Sequence, residues 1–433
     1  MSAKGRTGTG KQGRRNAVQQ RPVQQNRTQR MQKQKQMQMQ NRAHTQVQMQ
    51  AVQAEAVKRK PKRFYDYSLL FAVLFISAFG LIMIYSSSQY TAALRYNGDS
   101  TYLFKRQAVM LGIGLFGALV CSKIDYHWLR RFSKLIYIAA IILLVATFFL
   151  GVASHGRTRW IRIAGIQFQP TEPAKIALIV MLSTLISKYG YYINRMKFAR
   201  IYLLAALFPT VLIGQANLSS GIIMAGITVF MLFVGCRIWW PFLCMGGAAL
   251  AGLVFTKPLI TDWVLKNNVT TTDSYQFMRV LAWAMPERFS ADSYQTLQGI
   301  YAIGSGGVTG QGLGESIQKF GKLPEAQNDM IFAIICEELG LIGAIAVIFI
   351  FFFIIYRLMR LAVNAPDLFG SMLCIGIMAH ISLQVILNIA VVTNVIPNTG
   401  VTLPFISYGG SAVIFTMIEI GIALSVSNRI RLE

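Results

Sequence analysis

The stretch GRTRWIRIAGIQFQPTEPAK, residues 156–175, gathers residues that could do chemistry. Glu172 and Lys175 are three apart at the predicted start of a helix, which the spacing puts at Pro173, a residue suited to a first helical turn. Two readings stand. The pair is a simple ion pair pinning the helix start, or Lys175 joins Arg157 and Arg159 in a cationic pocket for phosphate. Arginine grips phosphate with a bidentate fork and lysine acts as a point charge. A second concentration lies in the long polar run 258–329, which carries Asp273, Glu287, Asp292, Glu315, Glu325 and Asp329. Tyr294, Gln295 and Gln298 offer hydrogen bonds suited to sugar hydroxyls, or to capping local turns. The glycines from Gly304 to Gly314 imply irregular backbone with positive φ. They are no nucleotide-binding P-loop, because Gly-Lys-Ser/Thr is missing. The third oddity is DMIFAIICEELGLIGAIAVIF, residues 329–349, where Glu337 and Glu338 adjoin inside an apolar run. Adjacent helical residues point about 100° apart, so the two cannot both face one ligand. Each should avoid lipid and accept hydrogen bonds inside the bundle, or pair with Lys175 or an arginine at a cavity. Glu419 falls under the same structural expectation.

The elements that must position these residues are membrane spans. The chain has 433 residues, 54% of them hydrophobic and only 14% charged, where a soluble domain carries about 25% charged residues. Ten apolar runs stand near 68–88, 106–122, 134–153, 173–188, 201–215, 218–236, 240–257, 330–356, 368–396 and 409–428. Spans in lipid must satisfy their own backbone, so they are helices. The ten-residue alternation of a transmembrane barrel is absent. The expectation is an all-α polytopic membrane protein of about ten transmembrane helices, with a large extracellular loop, 258–329, between helices 7 and 8. Lys123, Arg130, Arg131, Lys188, Arg195, Lys197, Arg200, Arg237, Arg357, Arg360, Arg429 and Arg431 all fall on one side of that topology, so both termini are cytoplasmic by the positive-inside rule. Arg157, Arg159, Arg162 and Arg279 then fall outside, against the rule, and need either an anionic ligand or local charge partners.

The net charge of +25 is concentrated in residues 1–63. That segment is rich in Gln, Arg, Lys and Met, has Glu55 as its only acid, and lacks the apolar clusters needed for a core. It reads as a disordered basic cytoplasmic tail against anionic lipid, with residues 64–433 as the membrane domain. Nucleic acid is not the expected partner. Five cysteines and four histidines show no metal-ligand spacing, so no metal site is assigned, and a divalent cation stays open as a cofactor.

Three stretches then align with a known family. GRTRWI…FQPTEPAK, AIGSGGVTGQGLGESIQK…LPEAQNDMIFAIICEELGLIGA and IPNTGVTLPFISYGGSA resemble the SEDS proteins (shape, elongation, division and sporulation), over about residues 65–430. The resemblance implies a peptidoglycan glycosyltransferase that polymerises lipid II, an undecaprenyl-diphosphate-linked disaccharide pentapeptide, on the outer face of the bacterial cytoplasmic membrane. It implies a class B penicillin-binding protein as partner, with inversion at the anomeric carbon. Such a reaction asks for a carboxylate base and for cations near the leaving diphosphate. The family's essential Asp is expected in the long loop a few residues before a Tyr-Gln. Here MPERFSADSYQ has Arg288 in that place, so Asp292 is the expected base and Glu287 its substitute, while a turn-capping role for Asp292 also stands. Arg157, Arg159, Glu172, Lys175 and Gln295 are the expected substrate-binding residues. Asn217 stands where many relatives have Asp, and is given a structural role. Thr399 stands where some have Lys, which puts more weight on Lys175 and the arginines. Two other functions remain open. A lipid II flippase would need polar groups along a path through the whole bilayer, and a scaffold that only recruits the transpeptidase would not need Asp292.

Overall fold

The computed structural model describes residues 64–431, apart from 155–156, 164–165, 191–195, 237–239, 268 and 270–274; before residue 64 it describes only Lys33, Met37 and Met39. The side chains of Arg157, Arg159 and Arg162 also lie outside the description. The chain divides into two units, Met1–Lys62 with Glu433, and Arg63–Leu432. Those three residues apart, the tail expected over 1–63 falls outside the described residues.

The second unit is mostly helical. α1 is Tyr67–Arg95, α2 Tyr102–Lys123, α3 His127–Leu150, α4 Thr171–Tyr189, α5 Met196–Ala216, α6 Leu218–Gly235 and α7 Trp240–Asn267. Two shorter helices come next, α8 Tyr275–Ala284 and α9 Ser290–Gly306, and then α10 Ile331–Val363, α11 Leu368–Val392 and α12 Ser411–Ser427. Each of the ten expected spans overlaps one of the longer helices. Among the described residues five of them, α1, α2, α6, α10 and α11, are long and apolar enough to cross a membrane. This is a polytopic membrane protein.

Two expectations are corrected. The fold is not purely α, because residues 152–168 form a three-stranded antiparallel sheet in the order β1 (Val152–Ser154), β2 (Arg157–Ile163), β3 (Ile166–Phe168). The sequence RTRWIRI explains it. Four of its seven residues, Thr158, Trp160, Ile161 and Ile163, are β-branched or aromatic, which suits a pleated strand. Ile161 pairs with Phe168 across the β2–β3 ladder and is buried. The second correction is to the run 258–329. α7 continues through Pro258 to Asn267, and the rest contains α8 and α9.

Packing is set by close backbone approaches and buried polar anchors. α2 and α12 cross where Gly421 meets Ala118; a Cβ at Gly421 would lie 2.5 Å from the Ala118 carbonyl oxygen. Small residues at such a crossing let helices gain contact where lipid supplies no hydrophobic drive. Asp66 caps α1, its Oδ1 accepting from the Leu69 amide at 2.9 Å. The same carboxylate takes both arms of Arg357 on α10, at 2.8 Å from Nη2 and 3.0 Å from Nε. His380 on α11 and Glu419 on α12 form a buried pair at 2.8 Å, which gives Glu419 the partner its sequence did not reveal.

α10 is broken at Gly340, whose φ of 67° and ψ of −164° interrupt the helix. The loop after α9 enters this break. Gln311 and Gly312 amides donate to the Glu337 and Glu338 carbonyls at 3.0 and 2.9 Å, and Leu341 and Ile342 amides donate to the Gly307 and Val308 carbonyls at 3.0 and 3.2 Å. Only glycine fits at 340, because a Cβ there would stand 2.3 Å from the Gly310 nitrogen. The adjacent glutamates are held in the same knot. Glu337 accepts from the Ser316 hydroxyl and from the Ile317 amide at 3.0 Å. Glu338 accepts from Ser86 at 2.6 Å and pairs with Lys319 at 3.0 Å. They face different partners, as their angular separation requires.

Candidate functional site

α4 begins at Thr171, two residues before the expected start, with Pro170 as its cap. This puts Glu172 and Lys175 in its first turns on one face. Lys175 Nζ lies 2.9 Å from Glu172 Oε2, and both side chains are almost wholly buried, at 1% and 6% exposure. Among the described residues the Lys175 ammonium has no other partner and makes no hydrogen bond, so the contact with Glu172 is one of charge. Lys175 lines a cavity of about 410 Å³.

Other elements bring their own groups to the same cavity. Arg106 comes from the first turns of α2 and Tyr408 from the segment before α12. Asn217 caps α6, its Oδ1 accepting from the Ser220 amide at 3.4 Å. That is a structural role, and it also aims the positive end of a helix at the cavity. Gln384 comes from α11.

Asp329, two residues before α10, is a second buried carboxylate of this cavity, beside Glu172. Its Oδ1 accepts from Gln295 Nε2 at 3.2 Å. Its carbonyl is held by Asn388 Nδ2 at 2.8 Å, and the same amide group reaches the Val401 carbonyl at 2.8 Å. Removal from water pushes the Asp329 carboxyl up to about 7; the charge of Glu325 adds to the rise, while Arg279 and the Gln295 hydrogen bond pull against it.

Asp292, in the first turn of α9, is exposed and lines a different, smaller cavity of about 240 Å³ with Arg279, Trp283, Gln295 and Asn398. Its carboxylate makes no hydrogen bond or ion pair among the described residues. The wall between the cavities is a chain of side chains. Asn398 Nδ2 donates to Gln295 Oε1 at 2.9 Å, and Gln295 donates to Asp329. Arg279 Nη1 braces the wall through the Asn398 carbonyl at 3.1 Å.

The expected set is therefore split. Glu172 and Lys175 come together in the larger cavity, Asp292 stands in the smaller one, and Gln295 joins the two. Arg157 and Arg159 belong to β2, with side chains outside the description. Glu287 is exposed on the turn before α9. Sequence reasoning passed over Arg106 and gave Asp329 no role. A signal for Asp329 existed: it sits in LPEAQNDMIF, two residues before an apolar helix, where a carboxylate must be shielded. Among the described residues no three His, Cys, Asp or Glu side chains gather as metal ligands.

With this geometry in place, comparison defines the class. A family of cell cycle proteins, the FtsW/RodA/SpoVE family, matches residues 67–432. A probable peptidoglycan glycosyltransferase FtsW of Trichlorobacter lovleyi is 35% identical over 384 residues, covering 87% of this chain and 97% of the relative. Stage V sporulation protein E of Bacillus subtilis is 36% identical over 370 residues, covering 84% and 96%. Among solved structures, a chain from a study titled as the structural coordination of polymerization and crosslinking by a peptidoglycan synthase complex superposes with a TM-score of 0.67 at 27% identity, covering 84% of this chain and 98% of that one. The rod shape determining protein RodA of Thermus thermophilus shares the fold, with a TM-score of 0.62 at 24% identity over 85% and 98%. The chain belongs to the FtsW/RodA/SpoVE family.

Proposed function

We propose that this protein is a peptidoglycan glycosyltransferase that polymerises lipid II at the larger cavity, with Asp329 as the base. The carrying observation is the placement of Asp329. It is a buried carboxyl poised near neutrality, in one hollow with the ammonium of Lys175 and the guanidinium of Arg106. A general base works best when its pKa lies near the operating pH.

In this reading a sugar hydroxyl of the incoming lipid II attacks the anomeric carbon of the growing strand from the face opposite the departing diphosphate, which inverts that centre. Asp329 accepts the hydroxyl proton. Lys175 and Arg106 stabilise the charge developing on the diphosphate, and the α6 N-terminus adds its dipole. Glu172 holds Lys175 in place. Gln295 orients the Asp329 carboxyl and holds the wall to the second cavity, where Asp292 is placed to contact a sugar or peptide of the substrate and not the reacting proton. Arg157 and Arg159, on the strand that leads to Trp160 at the cavity's edge, are proposed as further phosphate contacts. In this reading the chain has ten spans with both termini in the cytoplasm, and this cavity opens at the outer face of the cytoplasmic membrane, where a class B penicillin-binding protein would crosslink the product. The titled coordination of polymerization and crosslinking in a structural neighbour supports that partner.

The test uses the purified full chain with its transpeptidase partner and labelled lipid II, read as glycan strands on a gel. Asp329→Asn is expected to abolish strands and Asp292→Asn to retain them. The reverse pattern would restore Asp292 as the base. Wild-type protein that moves lipid II across vesicles without making polymer would establish a flippase instead.

A further inference from the structure

A third cavity, lined by cations, lies at the other end of α4. Lys188 is thirteen residues from Lys175, about 20 Å along the helix axis at 1.5 Å per residue. There a hollow of about 460 Å³ opens between α3 and α4. Arg130, Arg131 and Lys134 line it from α3, and Lys188 lines it from α4. None of the four has a carboxylate within ion-pair distance among the described residues. The nearby acids stand at its edge, on His127, which also lines the hollow: Asp125 and Asp367 each lie 2.7 Å from that imidazole, and Asp125 also takes Arg429 at 3.2 Å, so neither pairs with the four cations.

This arrangement opposes itself. Arg130 and Lys134 are four apart and Arg131 and Lys134 three apart, so like charges share one helix face, which costs free energy in an isolated helix. Lys188 closes the ring from the other side. A plain solvated face would spread these charges; here they surround one hollow whose wall includes Met181 and Leu185, one turn apart on α4. Trp128 and Phe132, stacked at 5.6 Å on the first turns of α3, are both exposed. Aromatic side chains exposed at a helix end beside basic residues mark headgroup depth in a bilayer. Arg131 lies over the Phe132 ring at 6.0 Å, which leaves its donor edge available.

We infer that this hollow is a binding site for the phosphate headgroup of an anionic membrane lipid. The arginines and lysines take the phosphate, and Met181 and Leu185 meet the glycerol and the first methylenes. Basic pockets between transmembrane helices bind such headgroups by charge, fork geometry and an apolar margin together. The site is separate from the candidate active cavity and does not depend on the proposed reaction.

The full-length chain in nanodiscs tests it, with native mass spectrometry counting retained lipid. The probes are phosphatidylglycerol and cardiolipin against phosphatidylcholine, with inorganic pyrophosphate as the soluble competitor. The R130Q/K188Q variant is expected to weaken cardiolipin retention at least tenfold. The K123Q/R360Q control, which removes two cations from other helix ends, is expected to change it less than twofold, and phosphatidylcholine retention is expected to be unchanged in both. Equal losses in the two variants would reduce the site to general charge attraction and overturn the inference. Displacement of the lipid by pyrophosphate at a concentration comparable to the lipid's own would overturn the lipid as source. Should R130Q/K188Q fail to fold, photocrosslinking of a phosphatidylglycerol analogue to the wild-type chain decides: label on α3 and α4 supports the site, and label confined to other helices overturns it.

Discussion

Two buried lysine–glutamate pairs invite comparison. Lys319 and Glu338 meet at 3.0 Å, and Lys175 and Glu172 at 2.9 Å. By distance and burial they are nearly the same object. Their remaining bonds differ. The Lys319 ammonium spends all three donors, on Glu338, on the Ser86 hydroxyl and on the Gly314 carbonyl. The Lys175 ammonium makes no hydrogen bond among the described residues beside its ion pair with Glu172, and Lys175 lines a cavity. A pair whose ammonium is filled by the protein holds the fold. A pair with donors left over beside a hollow is ready for a ligand, and the fold carries the cost of burying it unsatisfied.

The comparison can be broken by experiment, and its largest effect belongs to the cavity. Asp329→Asn should lower polymerisation by a factor on the order of 10² to 10⁴, the usual worth of a general base, measured as initial strand synthesis from labelled lipid II. Lys175→Met should come next, with about 10²-fold slower turnover for the loss of one charge at the leaving group. A Lys175→Met chain that runs at the wild-type rate would remove the cavity pair from the chemistry.

Lys319→Met should do the opposite. It leaves the Glu338 carboxylate buried without its cation, and breaking such a pair costs roughly 3–5 kcal/mol. The expected readout is loss of folded protein and a lower melting temperature in detergent, with turnover per folded molecule little changed. Gly340→Ala should also lower the melting temperature, since the added Cβ meets the Gly310 backbone and the residue holds a positive φ.

A smaller effect concerns pH. With the Asp329 carboxyl up at about 7, its base form fills as pH rises through that value, so wild-type kcat/KM should climb between about pH 6 and 8. Stability moves the other way. The folded chain holds this proton more tightly than the unfolded chain, so Asp329 costs stability increasingly as pH rises from the ordinary carboxylate range through about 7. Asp329→Asn should therefore melt higher than wild type at pH 8, and the gap should narrow as pH falls below 7 and close only in the ordinary carboxylate range. The smallest change is expected for Asp292→Asn, within about threefold in rate. A loss as deep as that of Asp329→Asn would move the chemistry to the second cavity.

Much of this organisation was legible in the residues. Hydropathy located the helices because lipid leaves the backbone no alternative, and the spacing of Glu172 and Lys175 foretold their pairing. Three things were not legible. The small sheet was hidden because RTRWIRI is short and lies between long apolar runs. The separation of Asp292 from Lys175 depends on how α9 lies against Asn398 and Gln295, a contact across 103 residues of sequence between the latter two. Asp329 was read as one loop acid among several, because the desolvation that distinguishes it comes from α11 and the segment around Gly400, neither of which is its neighbour in the chain.

The break at Gly340 has a mechanical corollary. Strand-like bonds from the glycine-rich turn close the gap in α10, on a helix otherwise made for lipid. Water could replace such bonds if the turn were to slip; hydrocarbon cannot. Poverty of solvent thus acts as the latch: the turn and the two halves of the interrupted helix shift as one piece or not at all.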